Sequence, residues 1–169
     1  TVKQGCSKGD KEYNIKGEFV KNGYENNTLK LEKGVIAMAR SDYSAYASYY
    51  GSSIVKKGYD SAGSQFFIMT SDDNISLTGS YAGFGKVIEG MDVVYRTVNS
   101  ETVRKEYSDE IKQLMSDGGG ELTLELYYQY MQEKAEMARP INPPKIKKMT
   151  VDTFGYKYDE PEKITKFIS

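Results

Sequence analysis

Gln65 and Phe67 stand two residues apart in the run Gly63-Ser64-Gln65-Phe66-Phe67-Ile68-Met69-Thr70. On a strand that spacing puts an amide and an aromatic ring on one face. The ring can pack an apolar side chain, and the amide offers a donor and an acceptor to a peptide backbone. Together they suit a peptide held in a groove. Phe66 then points to the opposite face and is expected to fill the core. The competing reading is an ordinary core strand, because most apolar strand residues are simply buried. Other chemistry is narrowed by composition. The sequence has no histidine, which removes the commonest general base and the commonest metal ligand. Its one cysteine, Cys6, can form no internal disulfide and has no companions for a zinc site. Nor does it have a histidine to activate it as a nucleophile. No metal or cofactor is expected. The formal net charge is -1, so nothing global draws the chain to nucleic acid or to an anionic membrane.

The elements that would position this pair follow from patterning. At 169 residues one domain, 1–169, is the default, with enough chain for a real core. Residues 1–12 are polar and read as loop. From 13 to 19, Tyr13, Ile15, Gly17 and Phe19 alternate with Asn14, Lys16 and Glu18, as in a half-buried strand. Gly34 opens a strand over 35–39 that is apolar on both faces and therefore central. Residues 41–62 are rich in Tyr, Ser and Gly and read as a loop insertion. They either pack on themselves or bind through their rings, and self-packing is the favoured alternative. Strand 65–70 follows, then a turn at Ser71-Asp72-Asp73-Asn74 and a strand over 81–88. Gly83 and Gly85 in that strand permit a bulge or a close backbone approach. Met91, Val94, Tyr95 and Val98 recur at helical spacing after Gly90. Residues 101–139 predict two helices broken at Gly118-Gly119-Gly120 and stopped by Pro140. A last strand is expected over 145–154, and 156–169 is expected to be a mobile tail.

The ordered blocks Gly34-Val35-Ile36-Ala37-Met38-Ala39, Gly63-Ser64-Gln65-Phe66-Phe67-Ile68 and Leu77-Thr78-Gly79 through Phe84-Gly85-Lys86-Val87-Ile88-Glu89-Gly90-Met91 resemble the cyclophilin family of peptidyl-prolyl cis-trans isomerases. Tyr13-Asn14-Ile15-Lys16-Gly17-Glu18-Phe19 looks most like the family's bacterial branch, and Asn142 to Gly155 resembles its last strand. The likeness covers 11–98 and 140–155, with 41–62 and 101–139 as additions. It implies a mainly β fold: the family's antiparallel β-barrel with flanking helices, N-terminally incomplete here, plus a helical insertion. Residue by residue, Phe67 matches the aromatic floor of the proline pocket and Gln65 the glutamine that bonds substrate backbone. Ala39 matches the groove wall, Leu77 the pocket edge, and Tyr81 a position where other members carry histidine. Arg40 reads as a groove-edge residue. Ser76 falls where drug-binding members have tryptophan.

The implied reaction is rotation about the bond before proline, whose partial double-bond character gives a barrier of about 18–20 kcal/mol. It needs an apolar pocket for the proline ring and a donor to the prolyl nitrogen, which gains a lone pair as resonance is lost. In the family that donor is an arginine in an F-H-R-type block, which these 169 residues do not contain. Gln4-Gly5 is only a faint echo of the family's neighbouring Q-G-G. No catalytic residue is therefore identified, and the chain is expected to be impaired as an isomerase. Its expected partners are proline-containing peptides and unfolded or folding proteins. Strand edges left by an open barrel are expected to invite self-association. The rival readings are a proline-peptide binding module without catalysis and an interaction protein using the tyrosine loop and the helical insertion. No apolar run reaches membrane-spanning length and no signal peptide is recognisable. A cytoplasmic location is expected, although Thr1 is not a natural start and is compatible with a removed leader.

Overall fold

The computed structural model describes residues 13–116 and 123–165. Cys6, Gln4-Gly5 and the glycine run at 118–120 lie outside the described residues. The chain divides into two compact units, Thr1–Met91 with Asp152–Ser169, and Asp92–Val151.

The first unit is built on an antiparallel sheet of order β3-β2-β4. Strand β2 (Val35–Met38) is central, as its two apolar faces predict; β3 (Phe66–Ile68) and β4 (Gly83–Lys86) flank it. The register opposes Ala37 to Phe67 and Met38 to Phe66 on one side, and Ile36 to Gly85 and Ala37 to Gly83 on the other. Phe84 is thus the extra residue of a bulge, at the glycine-flanked position where the sequence allows one. Gly83 is also a close-approach site: a Cβ there would lie 3.1 Å from Leu29 and 3.2 Å from Leu31. The core of this unit gathers Leu31, Val35, Ala37 and Met69, with Phe67, Leu77 and Tyr81 packed against it. Full burial of Leu31 and Val35 stabilises by roughly 1.5–3 kcal/mol each.

A second, two-stranded sheet pairs β1 (Tyr13–Ile15) with β5 (Lys163–Thr165). Among the described residues the ladders form these two open antiparallel sheets and no closed barrel. Two expectations change here. Strand β1 ends at Ile15, and Gly17 instead donates to Asp60 Oδ1 (2.9 Å), which diverts the chain from any ladder; Phe19 is buried all the same. The segment expected to be a mobile tail supplies β5.

The first part of segment 41–62 packs on itself, while its end reaches outside: Tyr59 meets Phe19 edge-on, and the Ala62 carbonyl accepts from the Ile15 N–H (2.8 Å). Its short helical pieces are a 3-10 turn, Ser44–Tyr46, and helices α1 (Ala47–Tyr50) and α2 (Ser53–Lys57). Its ends are tied together: the Ser41 N–H donates to Ser61 Oγ (2.8 Å), which donates to the Gly58 carbonyl (2.6 Å).

Helix α3 (Met91–Val98) begins directly after Gly90, as the spacing predicts. The second unit then holds α4 (Asp109–Met115) and α5 (Leu124–Ala138). Thr123 caps α5 by accepting from the Leu126 N–H (3.2 Å). Ile111 is buried, and Tyr107 stacks on Tyr130 at 5.7 Å. The two ends of segment 101–139 meet, with the Val103 N–H on the Arg139 carbonyl and the Ile141 N–H on the Glu101 carbonyl, both 2.9 Å.

No ladder forms over 145–154. Ile146, Met149 and Val151 are exposed, and the run ends in a turn at Phe154 (φ 49°) and Gly155 (φ 83°), closed by the Tyr156 N–H on the Thr153 carbonyl (2.9 Å). Positive φ at two successive residues marks a hairpin-type turn, which an extended strand through Phe154 cannot contain.

Candidate functional site

Alternation on β2 and β3 builds one face from Val35 and Ala37 on the first strand and Phe67 on the second. Two hydrogen bonds extend this pairing past the regular ladder. The Met69 N–H donates to the Val35 carbonyl (2.8 Å) and the Ala39 N–H to the Gln65 carbonyl (2.9 Å). Gln65 therefore stands beside Ala39, two residues along from the Phe67–Ala37 pair. Val35, Ala37 and Met69 are buried, Phe67 and Ala39 are half-buried, and Gln65 is exposed. The face runs from core to solvent, with Phe67 at the transition.

Phe66 does not fill the core. It lies on the other face of the sheet and is 38 % exposed. The two phenylalanines do alternate, but the buried face is set by Val35 and Ala37, and the register gives Phe67 to them.

Leu77 and Tyr81 arrive from the segment between β3 and β4. A 3-10 turn over Ile75–Leu77 brings Leu77 to the core. The Leu31 N–H donates to Thr78 Oγ1 (2.9 Å), which pins that turn to the core. Gly79 takes φ 76°, a conformation that favours glycine, and its carbonyl accepts from the Lys21 N–H (2.9 Å). Lys21 Nζ donates to Ser80 Oγ (2.7 Å). Beyond this turn the Tyr81 ring meets Phe67 edge-on, centroids 5.4 Å apart and planes at 89°, a favoured aromatic geometry.

Arg40 lies under Tyr81. Its guanidinium carbon is 4.5 Å from the Tyr81 ring centroid, 5.2 Å from that of Tyr59 and 5.6 Å from that of Phe19. Nε donates to the Ser80 carbonyl and Nη1 to the Ser41 carbonyl, both at 2.9 Å. Nearby, burial pushes the Asp42 carboxyl up, but hydrogen bonds from Ser44 and the Arg40 charge outweigh it and leave the group below its ordinary value. Ser76 is exposed. Among the described residues no group of His, Cys, Asp and Glu could hold a metal ion, and no helix is long and apolar enough to cross a membrane.

A half-buried ring edge-on to Tyr81, sharing a core cluster with Leu77 and standing on the face of the exposed Gln65, agrees with what comparison with known proteins finds. The family model for "Cyclophilin type peptidyl-prolyl cis-trans isomerase/CLD" matches residues 1–151. The chain belongs to the cyclophilin-type family. It is 48 % identical over 42 residues to "Peptidyl-prolyl cis-trans isomerase B" of Saccharomyces cerevisiae, a match covering 25 % of this chain and 20 % of that protein. It is 38 % identical over 81 residues to "Peptidyl-prolyl cis-trans isomerase" of Acinetobacter baylyi, covering 46 % of this chain and 35 % of that protein. The chain thus matches about a fifth and a third of the length of these relatives. No solved structure matches it at a significant level.

The cyclophilin blocks of the sequence converge in space: Ala39 beside Gln65, and Phe67, Leu77 and Tyr81 on one cluster. Sequence reasoning missed the three-ring setting of Arg40 and the buried Ser80 beneath it. The available signal was an arginine two residues after the central strand and just ahead of a tyrosine-rich segment.

Proposed function

We propose that this chain binds X-Pro segments in the groove between Phe67, Leu77 and Tyr81, and that it acts on them as a peptidyl-prolyl isomerase. The observation that carries the reading is the shared face that leads from buried Ala37 through half-buried Phe67 to exposed Gln65. The apolar part suits a proline ring, and Gln65 suits the backbone beside it. Phe67 forms the floor, Ala39 the wall next to Gln65 and Leu77 the edge, and the Tyr81 hydroxyl can donate to a substrate carbonyl. The clients would be unfolded or folding proteins with accessible prolines. Cytoplasmic action and self-association through open sheet edges are parts of the same proposal, as is the closing of the sheets into the family's barrel.

Catalysis by these 169 residues alone is proposed to be slow. Arg40 is the one arginine of the first unit, and two of its nitrogens already serve backbone carbonyls. This favours a second reading, a proline-peptide binding module, over fast turnover. The two are separated by following an Ala-Pro peptide by NMR titration and by cis-to-trans exchange in one sample. Binding with exchange supports the isomerase; binding without exchange supports the module; failure of the peptide to perturb Phe67 and Tyr81 would sink both.

A further inference from the structure

The described partners of the Arg40 guanidinium are two backbone carbonyls and the faces of three aromatic rings. We infer that Arg40 is a positioning residue, a clamp through which Tyr59 at the end of the tyrosine-rich segment holds Tyr81 and thereby sets the width of the pocket. This inference rests on the peptide-groove reading and names what regulates that groove.

Three observations converge on it. First, one guanidinium holds Tyr81 twice. Nε binds the carbonyl of Ser80, the residue immediately before Tyr81, while the cation lies against the Tyr81 ring itself. Backbone and ring are fixed together, and the ring passes its position on to Phe67 through their edge-on contact. Second, the other end of the clamp is anchored on a buried ring. Phe19 is 1 % exposed and meets Tyr59 edge-on at 5.2 Å. Third, Nη1 binds the carbonyl of Ser41, where segment 41–62 begins, and Tyr59 lies near its end. Both roots of that segment therefore touch the same side chain. A planar guanidinium can stack and donate in its plane at once. Lysine offers a point charge and cannot do both, so Arg40→Lys is the informative change. The segment need not touch peptide to matter: a shift at its roots moves the cation, the cation moves Tyr81, and Tyr81 moves on Phe67.

The test uses the full 169-residue chain, the Tyr81 ring resonances and an Ala-Pro tetrapeptide. In the free protein, Arg40→Lys and Tyr59→Leu should each shift the Tyr81 ring signals, and Tyr59→Phe, which keeps the ring, should leave them in place. With peptide, Arg40→Lys and Tyr59→Leu should each weaken affinity by about threefold to thirtyfold, the range of a partly desolvated cation–ring contact. The double variant should be little worse than Arg40→Lys alone, since both act through one element. Additive losses, or unmoved Tyr81 signals, would overturn the clamp. A fall in turnover with unchanged peptide affinity would also overturn it, and would make Arg40 the donor to substrate. If Arg40→Lys does not fold, the Tyr59 pair decides alone. If the wild-type chain binds no peptide, the groove reading fails, whereas the free-protein signals still decide the clamp.

Discussion

Phe66 and Phe67 show how far adjacent residues can differ when a strand separates them. Phe66 is 38 % exposed on the face away from the core cluster, whereas Phe67 packs onto Leu31, Val35, Ala37 and Met69. Phe66→Ala should therefore cost only about 1 kcal/mol and leave peptide affinity intact. Phe67→Ala should cost about 3 kcal/mol, near the low end for a core phenylalanine, and weaken proline-peptide binding at least about tenfold. Urea unfolding and peptide titration of both variants check this. A larger stability loss for Phe66→Ala than for Phe67→Ala would mean that the sheet faces the other way. The type and spacing of Gln65, Phe67, Ala39, Leu77 and Tyr81 were legible in the sequence because family blocks and strand alternation both act locally. Which phenylalanine the core takes was not legible. That depends on the partner of Phe67 across the ladder, Ala37, and on which face of β2 the loop residue Leu31 covers. Neither is encoded within the Phe-Phe run.

At the scale of elements, α4 is held by a carboxylate from another helix. In a capping box, the third residue of a helix reaches back to the N-cap N–H; here that position is Ile111, which is buried instead. Glu133 of α5 fills that role: its Oε2 accepts from the Ser108 N–H at 2.8 Å and lies 3.5 Å from Arg104. Hydrogen bonding from the Ser108 backbone, above all, holds its carboxyl below the ordinary value of 4.5, despite the opposing effect of burial. A depressed folded value means that this contribution is present above pH 4.5 and is lost as pH falls through the folded value. Thermal unfolding of the second unit should thus show an acid-side loss that Glu133→Gln removes, by weakening the neutral-pH state. An identical acid profile in the variant would assign the loss to other groups. Segment 101–139 was legible as two helices from its apolar periodicity, but α4 starts only at Asp109, because Ser108 and its distant cap decide the boundary. The backbone pairing of Glu101 and Val103 with Ile141 and Arg139 closes the ends of this segment. Replacing 101–139 by a short glycine-serine linker should then leave the first unit folded and its peptide affinity unchanged, as read by near-ultraviolet circular dichroism and titration. Collapse of the first unit on deletion would show that the insertion is integral to it.

At the scale of the molecule, the pocket and the catalytic donor are separable. The proposed groove residues Ala39, Gln65, Phe67, Leu77 and Tyr81 all belong to the first unit, and on that proposal they bind proline without accelerating its rotation. Acceleration requires an interaction that strengthens only in the twisted state, where the prolyl nitrogen regains its lone pair. Arg40 is engaged elsewhere through Ser80, Ser41 and three rings, so freeing it for substrate would break the contacts that hold Tyr81. The 169-residue chain by itself should accordingly be a poor isomerase. Loss of one transition-state donor costs roughly 2.7–4 kcal/mol, about a hundredfold to a thousandfold in rate, and the deficit should fall on turnover more than on peptide affinity. Supplying a segment with the family's arginine block, fused ahead of residue 1 or added as a separate peptide, should raise turnover by a factor of that order. Peptide affinity should change much less, because the proposed groove residues already lie within these 169 residues. A cis-to-trans assay on a proline peptide, with and without the added segment, measures both quantities. Rapid isomerisation by the chain alone, abolished by Arg40→Lys with affinity preserved, would show that Arg40 leaves its ring cage to serve the substrate.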